Sequence, residues 1–127
     1  MELHRYSKNH RLKPEQVEAS EFIIFWAEHK FVCGLDADGV EWLLVDGHTL
    51  KEILANTLGF VRIHRRMIVK VDAIDHLVAR TPPGGSRETY CMVGERELQI
   101  SRQCRSGVKA QYRLSVSTRR ATTEKPA

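Results

Sequence analysis

The 127-residue sequence lacks the segments that mark secreted, membrane or zinc-binding proteins. No apolar run approaches the roughly 20 residues needed to span a bilayer, and the N-terminus has no apolar signal segment. Only three cysteines are present, Cys33, Cys91 and Cys104, and their wide spacing fits neither a zinc site nor a disulfide framework. We therefore expect a cytoplasmic protein with ordinary thiols and without membrane insertion.

Catalytic and cofactor-binding patterns are also missing. The six histidines include no His-Glu-x-x-His motif, and the glycine pair at 84–85 lacks the Lys-Ser/Thr ending of a phosphate loop. Ser101 or Ser106 could be paired with His64 as nucleophile and base, but no nucleophile elbow surrounds either serine. The sequence therefore predicts no enzyme, no cofactor and no metal site.

What the chain does contain is enough apolar residues for one packed domain. Hydrophobic residues make up 42% of the chain, and its length is that of a single domain. β-Branched and aromatic residues collect in short runs separated by turn residues, at 22–26, 31–35, 40–45, 60–63, 67–71, 74–80, 89–93 and 97–100. These runs predict a mainly β domain of many short strands.

One segment has a clear helical pattern. Thr49 and Glu52 have the spacing of a capping box, apolar residues at 50, 53, 54 and 58 share a face, and Gly59 suits the helix end. This predicts a short helix over about residues 49–58. Residues 103–114 fit a short C-terminal helical segment, although Gly107 weakens that prediction.

These patterns divide the chain into three parts. We expect residues 1–14 to form a polar N-terminal arm that is mobile or loosely packed. Residues 15–113 form the domain, and residues 114–127 form a flexible basic tail.

Charge is distributed unevenly along the chain. Residues 1–59 contain six Lys and Arg against ten Asp and Glu, whereas residues 60–113 contain eleven against five. A positive field concentrated in one region favours a polyanionic partner. Nucleic acid is the first candidate and an anionic membrane surface the second.

The most cationic stretch lies between two strand-forming runs. His64, Arg65 and Arg66 separate the run at 60–63 from the run at 67–71, and Lys70 follows. Three adjacent basic side chains are costly to bury, so they must surface where the strand path ends or bends. Two interpretations stay open on these residues alone: a tip that binds phosphates or bases, or a solvated turn that happens to be basic.

Two further basic features stand near strand ends. Arg102, Arg105 and Lys109 follow the last strand at spacings that share one helical face. His29 and Lys30 lie between the first two strand runs. Alone, either feature could be an ordinary solvated surface.

The order of these segments resembles the LytTR-type DNA-binding domain of bacterial response regulators over about residues 14–113. The resemblance is carried by an Ile/Phe-rich strand, a Leu-Lys-Glu-Leu-like helix, a Phe-x-Arg-x-His-Arg core and a strand that ends in Ser-Arg. Here these are Phe22-Ile23-Ile24-Phe25-Trp26-Ala27-Glu28, Thr49-Leu50-Lys51-Glu52-Ile53-Leu54, Phe60-Val61-Arg62-Ile63-His64-Arg65-Arg66-Met67-Ile68-Val69-Lys70 and Leu98-Gln99-Ile100-Ser101-Arg102. Arg66 and Lys70 depart from the family pattern, which has Ser and Asn there.

The resemblance implies an elongated antiparallel β fold whose loops enter successive major grooves. By motif position it places DNA contacts at His29 or Lys30, at Arg65 with Arg66, and at Arg102. Arginine suits base reading because its planar fork pairs with guanine O6 and N7. Our candidate DNA contacts are His29, Lys30, His64, Arg65, Arg66, Lys70, Arg102, Arg105 and Lys109, of which Lys30, Arg105 and Lys109 fit phosphates best.

The leading hypothesis is a stand-alone, sequence-specific transcription regulator that binds double-stranded DNA. We expect it to act as a homodimer on repeated sites and to be controlled by expression level, a ligand or a separate regulatory protein, since we expect no receiver domain. The alternative is a protein-interaction module that restrains another regulator or a membrane partner without binding DNA itself.

Overall fold

The computed structural model describes residues 1–7 and 14–123, and within them the chain forms ten strands and two α-helices. The strands are β1 (Glu2–Ser7), β2 (Glu15–Glu18), β3 (Phe22–Glu28), β4 (Phe31–Asp36), β5 (Glu41–Leu44), β6 (Phe60–His64), β7 (Met67–Lys70), β8 (His76–Arg80), β9 (Glu88–Val93) and β10 (Arg96–Ile100). The helices are α1 (Leu50–Asn56) and α2 (Arg105–Thr123), and short 3-10 turns occupy Ala19–Glu21, Val71–Ala73 and Arg102–Cys104. The prediction of a mainly β domain of short strands is confirmed.

The strands form two antiparallel sheets. The larger has the order β2-β1-β5-β4-β3-β7-β6, and the smaller has the order β10-β9-β8. A backbone hydrogen bond of 2.8 Å from Ser101 N–H to the Ile63 carbonyl joins the end of β10 to β6. The two sheets therefore meet beside the last residues of β6.

Both faces of the larger sheet are covered, and the strand alternation shows how. Phe25 and Ile68 point into a core shared with α1, whereas their neighbours Ile24 and Val69 point into a core shared with the smaller sheet and α2. β3 is thus buried on both faces. That is why its sequence is a continuous apolar run without an alternating pattern.

Helix α1 begins as the sequence predicted. Thr49 accepts a hydrogen bond from the Glu52 amide, and the Glu52 side chain returns to the Thr49 backbone, which completes the capping box. The helix ends at Asn56, slightly before the predicted end. Gly59, with φ of +86°, turns the chain into β6.

The N-terminal residues that the structure describes belong to the fold, so the prediction of a loosely packed arm is wrong for them. β1 lies between β2 and β5 and pairs with both. Leu3 is fully buried in the core that contains α1. The strand was missed because Leu3 is its only strongly apolar aliphatic residue. Residues 8–13 of the predicted arm lie outside the described residues.

The C-terminal helix is longer than predicted. α2 continues to Thr123, whereas the sequence predicted a helical segment ending near residue 114 and then a tail. Tyr112 and Ser115 anchor the helix by donating to the Asp75 carbonyl and to Asp72 Oδ1. Residues 124–127 of the predicted tail lie outside the described residues. In the described ranges, no helix is both long and apolar enough to cross a membrane.

A buried carboxylate organises the β4–β5 hairpin. Asp36 accepts hydrogen bonds from the amides of Asp38 and Val40 and from Trp42 Nε1, at 2.8–3.0 Å. The Arg5 guanidinium lies over the Trp42 ring at 3.7 Å and has Nη1 3.9 Å from the Asp36 carboxylate. Burial by itself would raise the pKa of Asp36, but the three hydrogen bonds and the Arg5 charge together lower it.

We predict that Asp36→Asn lowers the free energy of unfolding by about 1–3 kcal/mol near neutral pH. The asparagine side chain has an NH₂ group in place of one carboxylate oxygen, so one of the three donors that Asp36 accepts from would face another donor. The difference in the free energy of unfolding between wild type and Asp36→Asn should become smaller in acid. Wild-type Asp36 has a folded-state pKa below its usual 3.8, so its contribution is complete above that value and is lost as pH falls through the folded pKa. Urea unfolding over a pH series measures both effects. Asp38→Asn, in the same turn but exposed, is the control; a deficit equal at every pH would contradict the assignment.

Candidate nucleic-acid interface

Two of the predicted basic segments lie side by side at one end of the larger sheet. β3 and β7 are antiparallel neighbours with Trp26 opposite Met67. The Ala27 amide donates to the Arg66 carbonyl at 2.9 Å, which continues the pairing into the turn. The His29–Lys30 turn between β3 and β4 and the Arg65–Arg66 turn between β6 and β7 therefore face the same way.

The third segment joins them through the contact between the sheets. Because Ser101 N–H bonds to the Ile63 carbonyl, Arg102 begins its 3-10 turn next to the last residues of β6. We call this surface the basic end and define it as His29, Lys30, His64, Arg65, Arg66 and Arg102. Segments separated by more than 70 positions in sequence thus form one cationic surface, in the order β4-β3-β7-β6-β10.

The β6–β7 turn is held by its own side chains. Arg62 Nη1 donates to the Arg65 carbonyl at 2.8 Å, and the Arg66 amide donates to His64 Nδ1 at 3.1 Å. An accepting Nδ1 places the ring proton of neutral His64 on Nε2. Burial, and then the Arg62 charge, lowers the pKa of His64 and so favours the neutral form that this bond requires.

The other turn contains strained backbone. His29 has φ of +54°, the only positive φ of a non-glycine residue in the described part of the chain. Glycine adopts this conformation without penalty, whereas a residue with a side chain is disfavoured there by about 1–2 kcal/mol. A histidine retained in such a position is an observation that favours a role for its side chain.

A cleft beside the basic end contains basic residues that the sequence reasoning missed. It lies between the His29–Lys30 turn, the start of α1 and the end of β6, and it includes His48, Lys51 and Arg62. Phe31, 54% exposed, stands at its edge. Lys51 follows the N-cap of a predicted helix, where a cation is unfavourable to the helix dipole. That mismatch was the available indication of a role outside the helix.

Four cations at this end, Lys30, Arg65, Arg66 and Arg102, have no recorded partner for their charged groups among the described residues. The structure records no hydrogen bond or ion pair between the charged groups of Lys30, Arg65, Arg66 or Arg102 and any other residue in the ranges it describes. All four residues are exposed. Their charge is therefore available to an external anion.

Lys70 is placed elsewhere. It lies at the opposite end of β7 from Arg66, and its Nζ donates to the Ser20 carbonyl at 2.8 Å. It shares a groove with Arg5 and with acidic residues that include Glu21 and Asp38. The structure does not bring Lys70 to the basic end.

The C-terminal basic residues separate into two groups. Arg102 is in the 3-10 turn, so the helical face predicted for Arg102, Arg105 and Lys109 contains only the last two. Arg105 is partly buried and its Nη2 donates to the Arg87 carbonyl at 2.8 Å. Lys109 lies one turn further along α2, beyond the basic end.

We predict that His29→Gly raises the free energy of unfolding by up to about 1 kcal/mol. Relief of the left-handed backbone outweighs the extra entropy of glycine in the unfolded chain, which is about 0.5–1 kcal/mol. Urea unfolding measures the change. Lys30→Gly is the matched control: it occupies the same turn without a positive φ and should lose about 0.5–1 kcal/mol. A loss of stability in His29→Gly equal to that in Lys30→Gly would show that residue 29 is unstrained.

One family model matches a large part of this chain. The family model of the LytTr DNA-binding domain matches residues 47–113, more than half of the chain. The match includes α1, the β6–β7 turn and Arg102 and leaves out the His29–Lys30 turn. Searches of the curated proteins and of the solved structures find no match. The resemblance predicted from the sequence is confirmed: the chain belongs to the LytTR family of DNA-binding domains, and its general function is DNA-binding transcription regulation.

Proposed function

We propose that the basic end reads double-stranded DNA in a sequence-specific way, with its turns entering successive major grooves. The observation that carries this proposal is the alignment of the His29–Lys30 turn, the Arg65–Arg66 turn and Arg102 along one edge. This alignment follows from the ladder between β3 and β7 and from the hydrogen bond between Ser101 and Ile63. Turns of this kind are narrower than the major groove, which is about 12 Å wide.

The arginines are the proposed base readers. Arg65 and Arg66 project from a two-residue turn whose backbone is fixed by Arg62 and His64. A fixed backbone lowers the entropy lost when a guanidinium pairs with a guanine edge. Arg102, on the other side of β6, reads the adjoining position.

The remaining cations are proposed to hold the DNA backbone. Lys30 in its turn and Lys51 in the cleft supply ammonium groups, which suit phosphates as point charges. His64 Nε2–H adds a neutral donor, and the His29 ring adds further hydrogen-bonding nitrogens. Lys109 lies beyond this surface on α2, and Lys70 is left out because it lies at the opposite end of β7.

Binding by a pair of copies on repeated sites fits the small size of the basic end. One copy offers few base-reading side chains, and pairing two copies raises both affinity and specificity through effective concentration. Repeats separated by about one helical turn, 10–10.5 base pairs, would place both copies on the same side of the duplex. We propose that a separate protein or ligand in the bacterial cytoplasm controls this regulator.

The test begins with selection of bound DNA from a random pool and continues with fluorescence polarisation on the selected site and on random DNA. We predict that Arg65→Ala and Arg102→Ala each reduce discrimination between the two by about 1–3 kcal/mol, because each removes a bidentate base contact. Arg96→Ala is the control. It is an exposed arginine at the opposite end of β10 and should change nothing.

Salt dependence separates DNA recognition from the alternative. A domain that neutralises about six phosphates loses on the order of 10³-fold in affinity between 50 and 200 mM salt. An exposed Leu58, 96% accessible in the loop before β6, is the observation that favours a protein-interaction module. If selection enriches no DNA sequence and the weak DNA binding does not change with salt, the result would favour the protein-interaction module over DNA recognition. If selection succeeds but both arginine variants discriminate normally, the assigned residues are wrong.

A further inference from the structure

The loop between β8 and β9 carries one basic residue, Arg87, that neither the motif nor the preceding proposal uses. Residues 81–87 read Thr-Pro-Pro-Gly-Gly-Ser-Arg, and Arg87 is exposed. β9 starts at Glu88, and its second residue, Thr89, pairs with Ile100. Ile100 precedes Ser101, which bonds to Ile63. The C-terminal end of the loop therefore lies beside Arg102.

The loop is preorganised. The Gly85 amide donates to the Pro82 carbonyl at 3.0 Å, and Gly84 between them has φ of +72°. Proline at the second position and a positive-φ glycine at the third are the features of a type II turn. A loop held in this way loses little entropy when it contacts a ligand.

Arg105 fixes the end of the loop and adds a second positive charge there. Its Nη2 donates to the Arg87 carbonyl, and its Nε is buried with no partner among the described residues. The Arg105 guanidinium therefore lies against the Arg87 backbone, and its positive charge favours an anion nearby.

The nearby acids do not supply that anion. Glu88 accepts a hydrogen bond from the Tyr90 hydroxyl, and Glu97 pairs with Arg80. No carboxylate in the described part of the chain is recorded in contact with Arg87, Arg102 or Arg105. These three arginines, close in the fold, therefore have no recorded counter-charge in the part of the chain that the structure describes.

We propose that residues 81–87 form a further DNA-binding element, in which Arg87 contacts a backbone phosphate next to the site of Arg102. Arg105 is the positioning residue that holds the loop and adds to its field. This rests on the proposed DNA recognition and extends it. The loop adds a contact on the β9 side of β10, one to two strand spacings away, ~5–10 Å. A phosphate contact fixes the orientation of the domain without reading bases.

The experiment compares Arg87→Ala with Arg96→Ala, exposed arginines near opposite ends of the smaller sheet. Affinity for the selected site and for random DNA is measured from about 50 to 200 mM salt. We predict that Arg87→Ala lowers the salt slope by about 0.9, the value of one phosphate, and that it weakens both DNAs equally, by roughly eightfold near 0.1 M salt. Arg96→Ala should match wild type.

Arg105 is tested through its coupling to Arg87. If Arg105 acts by positioning the loop, Arg105→Ala weakens DNA binding in wild type and has a smaller effect in the Arg87→Ala background. Additive losses would assign Arg105 a contact of its own and overturn the positioning role. Thermal unfolding of each variant establishes that the fold is retained.

Three results overturn the proposal or its basis, and they can be told apart. An unchanged slope in Arg87→Ala, while Arg65→Ala loses discrimination, excludes the loop but keeps the DNA-binding function. A loss confined to the selected site makes Arg87 a base reader and overturns the phosphate assignment. Salt-insensitive wild-type binding overturns the proposed function itself.

Discussion

The arrangement of this domain depends on β3, which is paired on both edges and buried on both faces. Its ladder with β4 places the His29–Lys30 turn, and its ladder with β7 places the Arg65–Arg66 turn. Phe25 is fully buried on one face and Ile24 is buried on the other. Since a one-residue slip would exchange the faces, the register is strongly fixed. Two basic turns are thereby held at a constant separation, which a reader of a regular duplex requires.

The second constraint is the junction between the sheets. A single backbone hydrogen bond from Ser101 to Ile63 lies at the point where β6 is bulged, and Ile63 is fully buried there. The bulge changes the path of β6 just before His64 and leaves the Ile63 carbonyl for the smaller sheet. Arg102 and the loop at 81–87 both take their positions from this junction. The smaller sheet thus contributes to the proposed DNA interface as well as to the core.

Local features of the fold could be predicted from the sequence where they depend only on the chemistry of a few neighbouring residues. The capping box at Thr49, the continuous apolar run of β3 and the exposure of Arg65 and Arg66 follow from hydrogen bonding and burial within short segments. Long-range placement does not follow in this way. Lys70 is four residues from Arg66, yet it lies at the other end of its strand, because an extended chain advances about 3.3 Å per residue. β1 was not predicted because its position depends on backbone pairing with β2 and β5 and on one buried side chain, Leu3. A single apolar residue gives no recognisable strand pattern in the sequence.

The two ends of the larger sheet differ in whether their charged side chains have partners within the fold. At one end, Asp36 accepts hydrogen bonds from three donors and lies near Arg5, and Lys70 Nζ donates to the Ser20 carbonyl. The charged groups at that end therefore stabilise the fold. At the basic end, Lys30, Arg65, Arg66 and Arg102 have no recorded partner within the described ranges, and His29 adopts a disfavoured backbone conformation. Both features reduce stability, and the buried core and the Asp36 network offset them. Unpaired charge and strain concentrated at one end are difficult to explain as structural devices. They are what a surface completed by a polyanion would show before that partner binds.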